Sequence, residues 1–458
     1  MRLRFSGVAL FLVASFVPAL AQNTSPSLSS TVAGRRVEAY LRAFNTGSDS
    51  TMRAFFADHL AKDAHQRIPL AQRMERYHQL RSTAETFTLK KVLEVREDRA
   101  VILADTRPGL KFRMTFHFEQ APPHGLIVIE MEEAEAGDEE ITRARNDAGL
   151  VRAVREYVGK LADADEFSGV VLIAKNGAPL FQQAYGMADK EKKIPNELTT
   201  RFNVGSMNKS FTTVAIHQLA AGGRLSFNDP LKKILPAYPN GDAAEKVTVQ
   251  HLLDMSSGIG DFFGERYDAT PKEKINSIND YLPLFADKPL AFEPGAQRQY
   301  SNGGFIVLGA IIEKLSGMDY YSYVRKNILI PAGMMATDWY EKSSPLVARG
   351  YTRARGAAPD ALRQGNYDSL PWRGSSAGGG YSTAPDLLKY TLALQSGPMI
   401  PPTVGARQGL GIAGGTEGVN AALEWNPKNG YTIIVLSNYD PPIAERIARR
   451  IRALLPEA

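Results

Sequence analysis

The stretch "NVGSMNKSFTT", residues 203–213, places a serine and a lysine three positions apart, where a glycine gives way to an apolar-periodic segment. On a helix beginning near Gly205, Ser206 and Lys209 share a face about one turn apart and can meet. A serine hydroxyl attacks poorly at neutral pH unless a nearby base takes its proton. A lysine can do so when desolvation or positive potential lowers its pKa. The helix N-terminus supplies such potential, and the following "FTTVAIHQLA" indicates a buried helix. The same residues also fit an ordinary helix start, because S-x-x-K arises by chance in long chains. The reading therefore depends on what surrounds it.

Outward from this stretch, "AGLVRAVREYVGKLADAD" has helical periodicity, and "FSGVVLIAKNGAPLFQQAYGMAD" reads as a hairpin turning at Asn176-Gly177. The C-terminal end mirrors it: "GVNAALEWNPKNGYTIIVLSNYD" is a hairpin turning at Asn429-Gly430, and "PPIAERIARRIRALL" is an amphipathic closing helix. Strands at both ends, with a helix-rich and glycine-rich middle, predict one antiparallel sheet built from both termini and covered by helices.

These stretches, taken in order with "RFNVGSMNKSFTTVAI", "GRLSFNDPLKKILP", "VTVQHLLDMSSGI", "FEPGAQRQYSNGGFIVLGAIIEKLSG", "AGGGYSTAPDLLKY" and "AGGTEGVNAALEWNPKNGYTIIVLSN", resemble the serine β-lactamase and penicillin-binding-protein superfamily. The matching branch holds class C β-lactamases, D-alanyl-D-alanine carboxypeptidases and β-lactamase-fold esterases. The resemblance runs across residues 148–458. It implies Ser206 as nucleophile with Lys209 beside it. "YSN" matches the Y-x-N element, which implies Tyr300 as a second proton-transfer group and Asn302 as a polar contact to lysine and substrate. A phenol near an ammonium is expected to have its phenolate favoured and to return a proton to the leaving group.

One element departs from the pattern. The family usually carries Lys or His, a small residue and glycine on the strand edging the site. Aligned on "GIAGGTEG", the cationic position is Ile412, followed by Ala413, Gly414 and Gly415. The glycines permit close approach of substrate, and the resemblance implies an oxyanion hole from the NH groups of Ser206 and Gly415. An apolar Ile412 cannot seat a substrate carboxylate, which weighs against β-lactams and D-Ala-D-Ala ends and less against an uncharged ester or amide. Arg407 is near in sequence, with no sign that it reaches the site.

Rival sites are weaker. Gly374-Ser375-Ser376-Ala377-Gly378 is a literal G-x-S-x-G, but "DSLPWR" is a poor preceding strand and no histidine follows His251. His217 and His251 read as core or capping residues. No H-E-x-x-H or clustered carboxylate pattern predicts a metal, and no cofactor is expected.

The N-terminal part differs in character. Residues 1–21, with two arginines, an apolar run from Phe5 to Val17 and Ala19-Leu20-Ala21, have the pattern of a cleaved secretory signal peptide, so a periplasmic or secreted protein without a membrane anchor is expected. Residues 22–133 read as helices followed by four strands, a small α+β domain whose element order and "AYLRAFNTGSDSTMRAFF" opening resemble NTF2-like domains. Five of the seven histidines fall here: His59, His65, His78, His117 and His124. On "KFRMTFHFEQ", Phe112, Met114, Phe116 and Phe118 share one face and His117 lies on the other. Residues 134–147, acidic and then mixed, read as a linker.

At 458 residues the chain accommodates two or three domains, and 44% hydrophobic with 22% charged residues is a globular composition. There is no cysteine, hence no disulfide framework and no thiol nucleophile. A formal charge of +5 over 54 basic and 49 acidic residues, without a long basic run, predicts no nucleic-acid partner. The expected fold class is α/β, an antiparallel sheet flanked by helices plus a helical lobe, β-lactamase/transpeptidase-like, preceded by the α+β domain. The expected activity is acyl transfer to Ser206 from a small-molecule or peptide substrate, ester or peptide-like amide. The alternative is a non-catalytic relative that binds wall peptides or a small ligand. Oligomeric state is left open.

Overall fold

The computed structural model describes residues 28–107, 109–134, 143–353, 361–396 and 409–456, arranged as two compact units, residues 1–141 and 142–458. The expected leader and Arg407 lie outside the described residues.

In the first unit, helices Val32–Thr46, Asp49–His59, Lys62–Arg67 and Leu70–Ala84 precede four antiparallel strands, Phe87–Val95, Arg99–Thr106, Lys111–Phe118 and Leu126–Glu133, paired in sequence order. The predicted break between the first two helices is a glycine stop followed by a serine start. Gly47 closes one helix in the left-handed region (φ 69°), and the Ser48 side chain accepts the Thr51 N–H of the next. Met114, Phe116 and Phe118 are buried against the Val32–Thr46 helix side of the core, where Tyr40 packs edge-on to Phe116. His117 is on the opposite face, 3.4 Å from Glu130.

The second unit is built on a five-stranded antiparallel sheet in the order Leu410–Thr416, Val419–Trp425, Tyr431–Ser437, Gly169–Lys175, Ala178–Tyr185. The two chain ends meet in the register of Ile434 with Leu172, flanked by Leu436 with Val170. Leu172, Val170, Ile434 and Leu436 belong to the main hydrophobic core, which holds the sheet against helices Lys209–Ala221 and Asn302–Ser316. The first hairpin turns as expected, with Asn176 (φ 50°) and Gly177 (φ 81°) both left-handed. The second differs: its loop runs from Asn426 to Gly430, closed by the Asn426 N–H to Tyr431 carbonyl bond, with Gly430 at φ 72°. Residues 144–147, read from sequence as linker, already belong to this unit. Asn146 caps helix Asp147–Asp163, and the Asp147 carboxylate accepts from Lys175 at 3.0 Å and from the Tyr431 hydroxyl.

Candidate active site

The serine and lysine meet through a 3-10 turn rather than the first α-helical turn. Gly205–Asn208 forms this turn, and the α-helix starts at Lys209. In a 3-10 turn, side chains at i and i+3 eclipse. Lys209 Nζ accordingly lies 3.2 Å from Ser206 Oγ. Gly205 makes the turn possible: its φ is +51°, and a Cβ there would sit 2.8 Å from Gly415 N.

Tyr300 and Asn302 arrive on either side of a helix cap. Ser301 accepts the Gly304 N–H at the start of helix Asn302–Ser316, and its hydroxyl donates to the Ile259 carbonyl at 2.6 Å. Anchored this way, the Tyr300 hydroxyl donates to Ser206 Oγ at 2.5 Å, and Asn302 Oδ1 accepts from Lys209 Nζ at 2.6 Å. The Asn302 amide donates from Nδ2 to Asp261 Oδ2 at 2.7 Å. A lysine can only donate and a carboxylate can only accept, so this pair fixes which way the amide faces. Lys209 also donates to the Ala377 carbonyl at 2.6 Å.

Lys209 is only 7% exposed. Burial lowers its pKa from 10.5 to about 7, partly opposed by Asp261. At neutral pH a large share is therefore the free amine, whose lone pair can take the Ser206 proton across the same contact. Tyr300 departs from the expected phenolate. Burial raises its pKa above 10, with Asp261 raising it further against the Ser206 hydrogen bond. Geometry gives the reason: Lys209 Nζ lies 4.7 Å from the Tyr300 ring centroid, facing the π surface, and the phenol's bond goes to the serine. In this resting arrangement Tyr300 donates to Ser206, and Lys209 is the group placed to take a proton from it.

Among the described residues the glycine strand Leu410–Thr416 is the sheet's edge, with no further strand on its outer side. It runs tightly past the serine turn: a Cβ on Gly414 would lie 2.2 Å from the Val204 carbonyl oxygen and 2.7 Å from Ser206 N. Gly414 and Gly415 line a cleft of about 700 Å³ together with Ser206, Tyr300 and Asn302. Phe262, Phe263 and Tyr267 form an aromatic wall of this cleft, Phe263 being 52% exposed. Ile412 is half-buried against the core and offers no charge. Neither of the two lysines lining the cleft replaces one. Lys342 Nζ donates to the Tyr367 and Leu370 carbonyls at 3.0 and 3.2 Å, and Lys272 to those of Tyr267 and Thr270 at 2.5 and 3.0 Å.

The rival residues are placed elsewhere. Ser376 is fully buried and donates to the Phe305 carbonyl at 2.8 Å. His251 shares a capping box with Thr248, and His217 is half-buried 4.9 Å from the Phe227 ring. Among the described residues no group of three His, Cys, Asp or Glu could hold a metal ion. Two contributors were missed from sequence, Asp261 and the Ala377 carbonyl. The segment 374–380 that mimicked a nucleophile elbow cradles the site instead. Gly380 exchanges backbone and side-chain bonds with Val204 and Asn208, and Ala377 binds the lysine. Its run of small residues was the available signal.

A Beta-lactamase family model matches residues 151–457. The chain belongs to the β-lactamase family. Penicillin-binding protein 4* of Bacillus subtilis (strain 168) is 33% identical over 184 residues, 40% of each chain. Protein flp of Staphylococcus aureus (strain NCTC 8325 / PS 47) is 28% identical over 317 residues, 61% of this chain and 62% of the relative. The chain thus spans less than two thirds of these curated relatives. Among solved structures, the penicillin-binding protein of Bacillus halodurans superimposes with a TM-score of 0.57 at 30% identity, covering 66% of this chain and 97% of that one. The fold is the mixed α and antiparallel β architecture of β-lactamases and penicillin-binding proteins, and serine hydrolase-type chemistry is the activity this family generally carries.

Proposed function

We propose that the chain is an exported serine hydrolase that passes through an acyl-enzyme on Ser206, with an uncharged ester or peptide-like amide as substrate. The observation that carries this reading is the double contact on one oxygen. Ser206 Oγ is 3.2 Å from a lysine whose pKa is brought to about 7 and 2.5 Å from a phenol that keeps its proton. In the proposed cycle the Lys209 amine takes the serine proton as Oγ attacks the carbonyl. The NH groups of Ser206 and Gly415 hold the oxyanion, and Tyr300 protonates the leaving atom. Asn302, held by Asp261, keeps the lysine aimed. A water activated by the same pair then releases the acid. Export follows from the leader pattern of residues 1–21. The absence of a cation at Ile412 supports an uncharged substrate over a β-lactam or a D-alanyl terminus.

The test is labelling with a serine-reactive phosphonate, followed by turnover of p-nitrophenyl esters, D-alanyl peptides and a chromogenic cephalosporin. Ser206→Ala is expected to abolish labelling and turnover, and Ser376→Ala to retain both. Absence of labelling and of turnover on every class would exclude the enzyme reading and leave a ligand-binding relative.

A further inference from the structure

Ser206 borders two cavities. Besides the aromatic cleft, a second cavity of about 580 Å³ is lined by Ser206, Lys209, Tyr300 and Ile412. Its walls are largely apolar: Met207, Val214 and Phe305 are buried, and Leu253, Leu410 and Ile412 are half-buried against the core. Met255 completes the wall from a left-handed backbone position (φ 57°), which is costly for a non-glycine residue. Its carbonyl accepts the Gln299 N–H at 2.9 Å, tying this wall to the segment that carries Tyr300. Arg298, exposed at the rim, forms no hydrogen bond or ion pair among the described residues.

The two cavities divide the catalytic groups. Gly414 and Gly415 line only the aromatic cleft, Lys209 and Ile412 line only the second cavity, and Ser206 and Tyr300 line both. A tetrahedral intermediate on Ser206 that directs its oxyanion to Gly415 therefore has its leaving atom available on the Lys209 and Tyr300 side, where the proton donors are. We propose that the second cavity is the leaving-group subsite and that Ile412 is its specificity-determining residue, selecting an apolar alcohol or amine without a carboxylate. This rests on Ser206 as nucleophile. The step balances: the Oγ–acyl bond forms and the acyl bond to the leaving oxygen or nitrogen breaks. Tyr300 gives its own phenolic proton to the leaving atom while Lys209 keeps the serine proton; when water attacks the acyl carbon, its proton goes to the Tyr300 phenolate and the Lys209 proton returns to Ser206 Oγ. An apolar wall rewards each buried methylene by roughly fourfold, and Ile412 gives a carboxylate no partner at its position, which leaves Arg298 at the rim as the cation that the carboxylate-ended ester tests.

The experiment holds the acyl group constant as propionate and varies the alcohol: ethyl, butyl, hexyl, and a 6-hydroxyhexanoate ester of matched length, followed by pH-stat. In the wild-type chain kcat/KM is expected to rise at least about tenfold from ethyl to hexyl and to fall by a similar factor for the carboxylate-ended ester. Ile412→Lys should flatten the alkyl series and favour the carboxylate, while a series of ethyl esters with lengthening acyl chains keeps its wild-type pattern. A flat alkyl series would overturn the proposal. So would a wild-type preference for the carboxylate that disappears in Arg298→Ala, or an Ile412→Lys effect confined to the acyl series. Calorimetry on Ser206→Ala separates this from the enzyme reading: the hexyl ester should bind at least about tenfold tighter than the ethyl ester whether or not the wild-type chain turns over. Equal binding rejects the subsite alone, and absent phosphonate labelling rejects Ser206 as nucleophile alone.

Discussion

At Lys209 the cost of burying a charge brings the pKa down to about 7, and in the proposed cycle this sets the pH dependence. Below about pH 7 the side chain is an ammonium and cannot take the serine proton; above it the amine is free. The acid limb of kcat/KM is therefore expected to have its midpoint near 7, read from a pH–rate profile on an ester with a non-ionisable leaving group. Asp261 favours the ammonium, so Asp261→Asn should move that midpoint to lower pH. An unmoved midpoint would mean that another group titrates there. Removing the base in Lys209→Met is expected to lower kcat/KM by on the order of 10³, and Tyr300→Phe by on the order of 10², within the usual range for proton-transfer groups. Lys209 and Ser206 were legible as a pair in "GSMNK", because three-residue spacing is a local property. The protonation of Tyr300 was not, because it depends on whether the ammonium faces the ring or the hydroxyl.

At the scale of elements, the site is a contact between an edge strand and a turn, and small residues make that contact possible. A Cβ on Gly414 would meet backbone atoms at 2.2 and 2.7 Å, and neither can yield without moving the serine turn. Gly414→Ala is expected to lower the melting temperature and to reduce kcat/KM by about 10² through misplacement of Ser206. Gly411→Ala, on the same strand with nothing within 4 Å of its added Cβ, should leave the melting temperature in place. The edge strand itself was readable from "GIAGGTEG" by its resemblance to family members. The 374–380 loop was read as a chance motif because its role lies in what it packs against: its backbone meets the serine turn and the lysine, 168 residues apart in the case of Ala377 and Lys209.

Over the whole molecule, each unit has a hydrophobic core of its own. One core runs from Leu28 to Leu126 and the other from Val170 to Leu436. Domains with independent cores fold independently as a rule. Residues 143–458 expressed alone are expected to melt cooperatively and to keep phosphonate labelling of Ser206, checked by calorimetry and mass spectrometry. Loss of cooperative unfolding in the fragment would show that the first unit is needed for the fold of the second. The five-strand sheet explains why the second unit must be kept whole. Its centre pairs Gly169–Lys175 with Tyr431–Ser437, so truncation at either end removes a core strand.

Sequence by itself determined the periodicities, the Asn176-Gly177 turn and the two-ended sheet, because these follow from local spacing and from the order of motifs along the chain; Ser206 and Lys209 were legible as a pair by spacing, and Tyr300 and Asn302 joined them as what the family resemblance implies. It also placed an apolar side chain at 412, where the family resemblance implies a cation. Only the tertiary structure decided that Lys209 is desolvated and its pKa lowered, that Asp261 orients Asn302, and that Ile412 walls a second cavity beside Ser206. Those outcomes depend on dielectric surroundings and on contacts between distant segments, and neither is written in any one stretch of the chain.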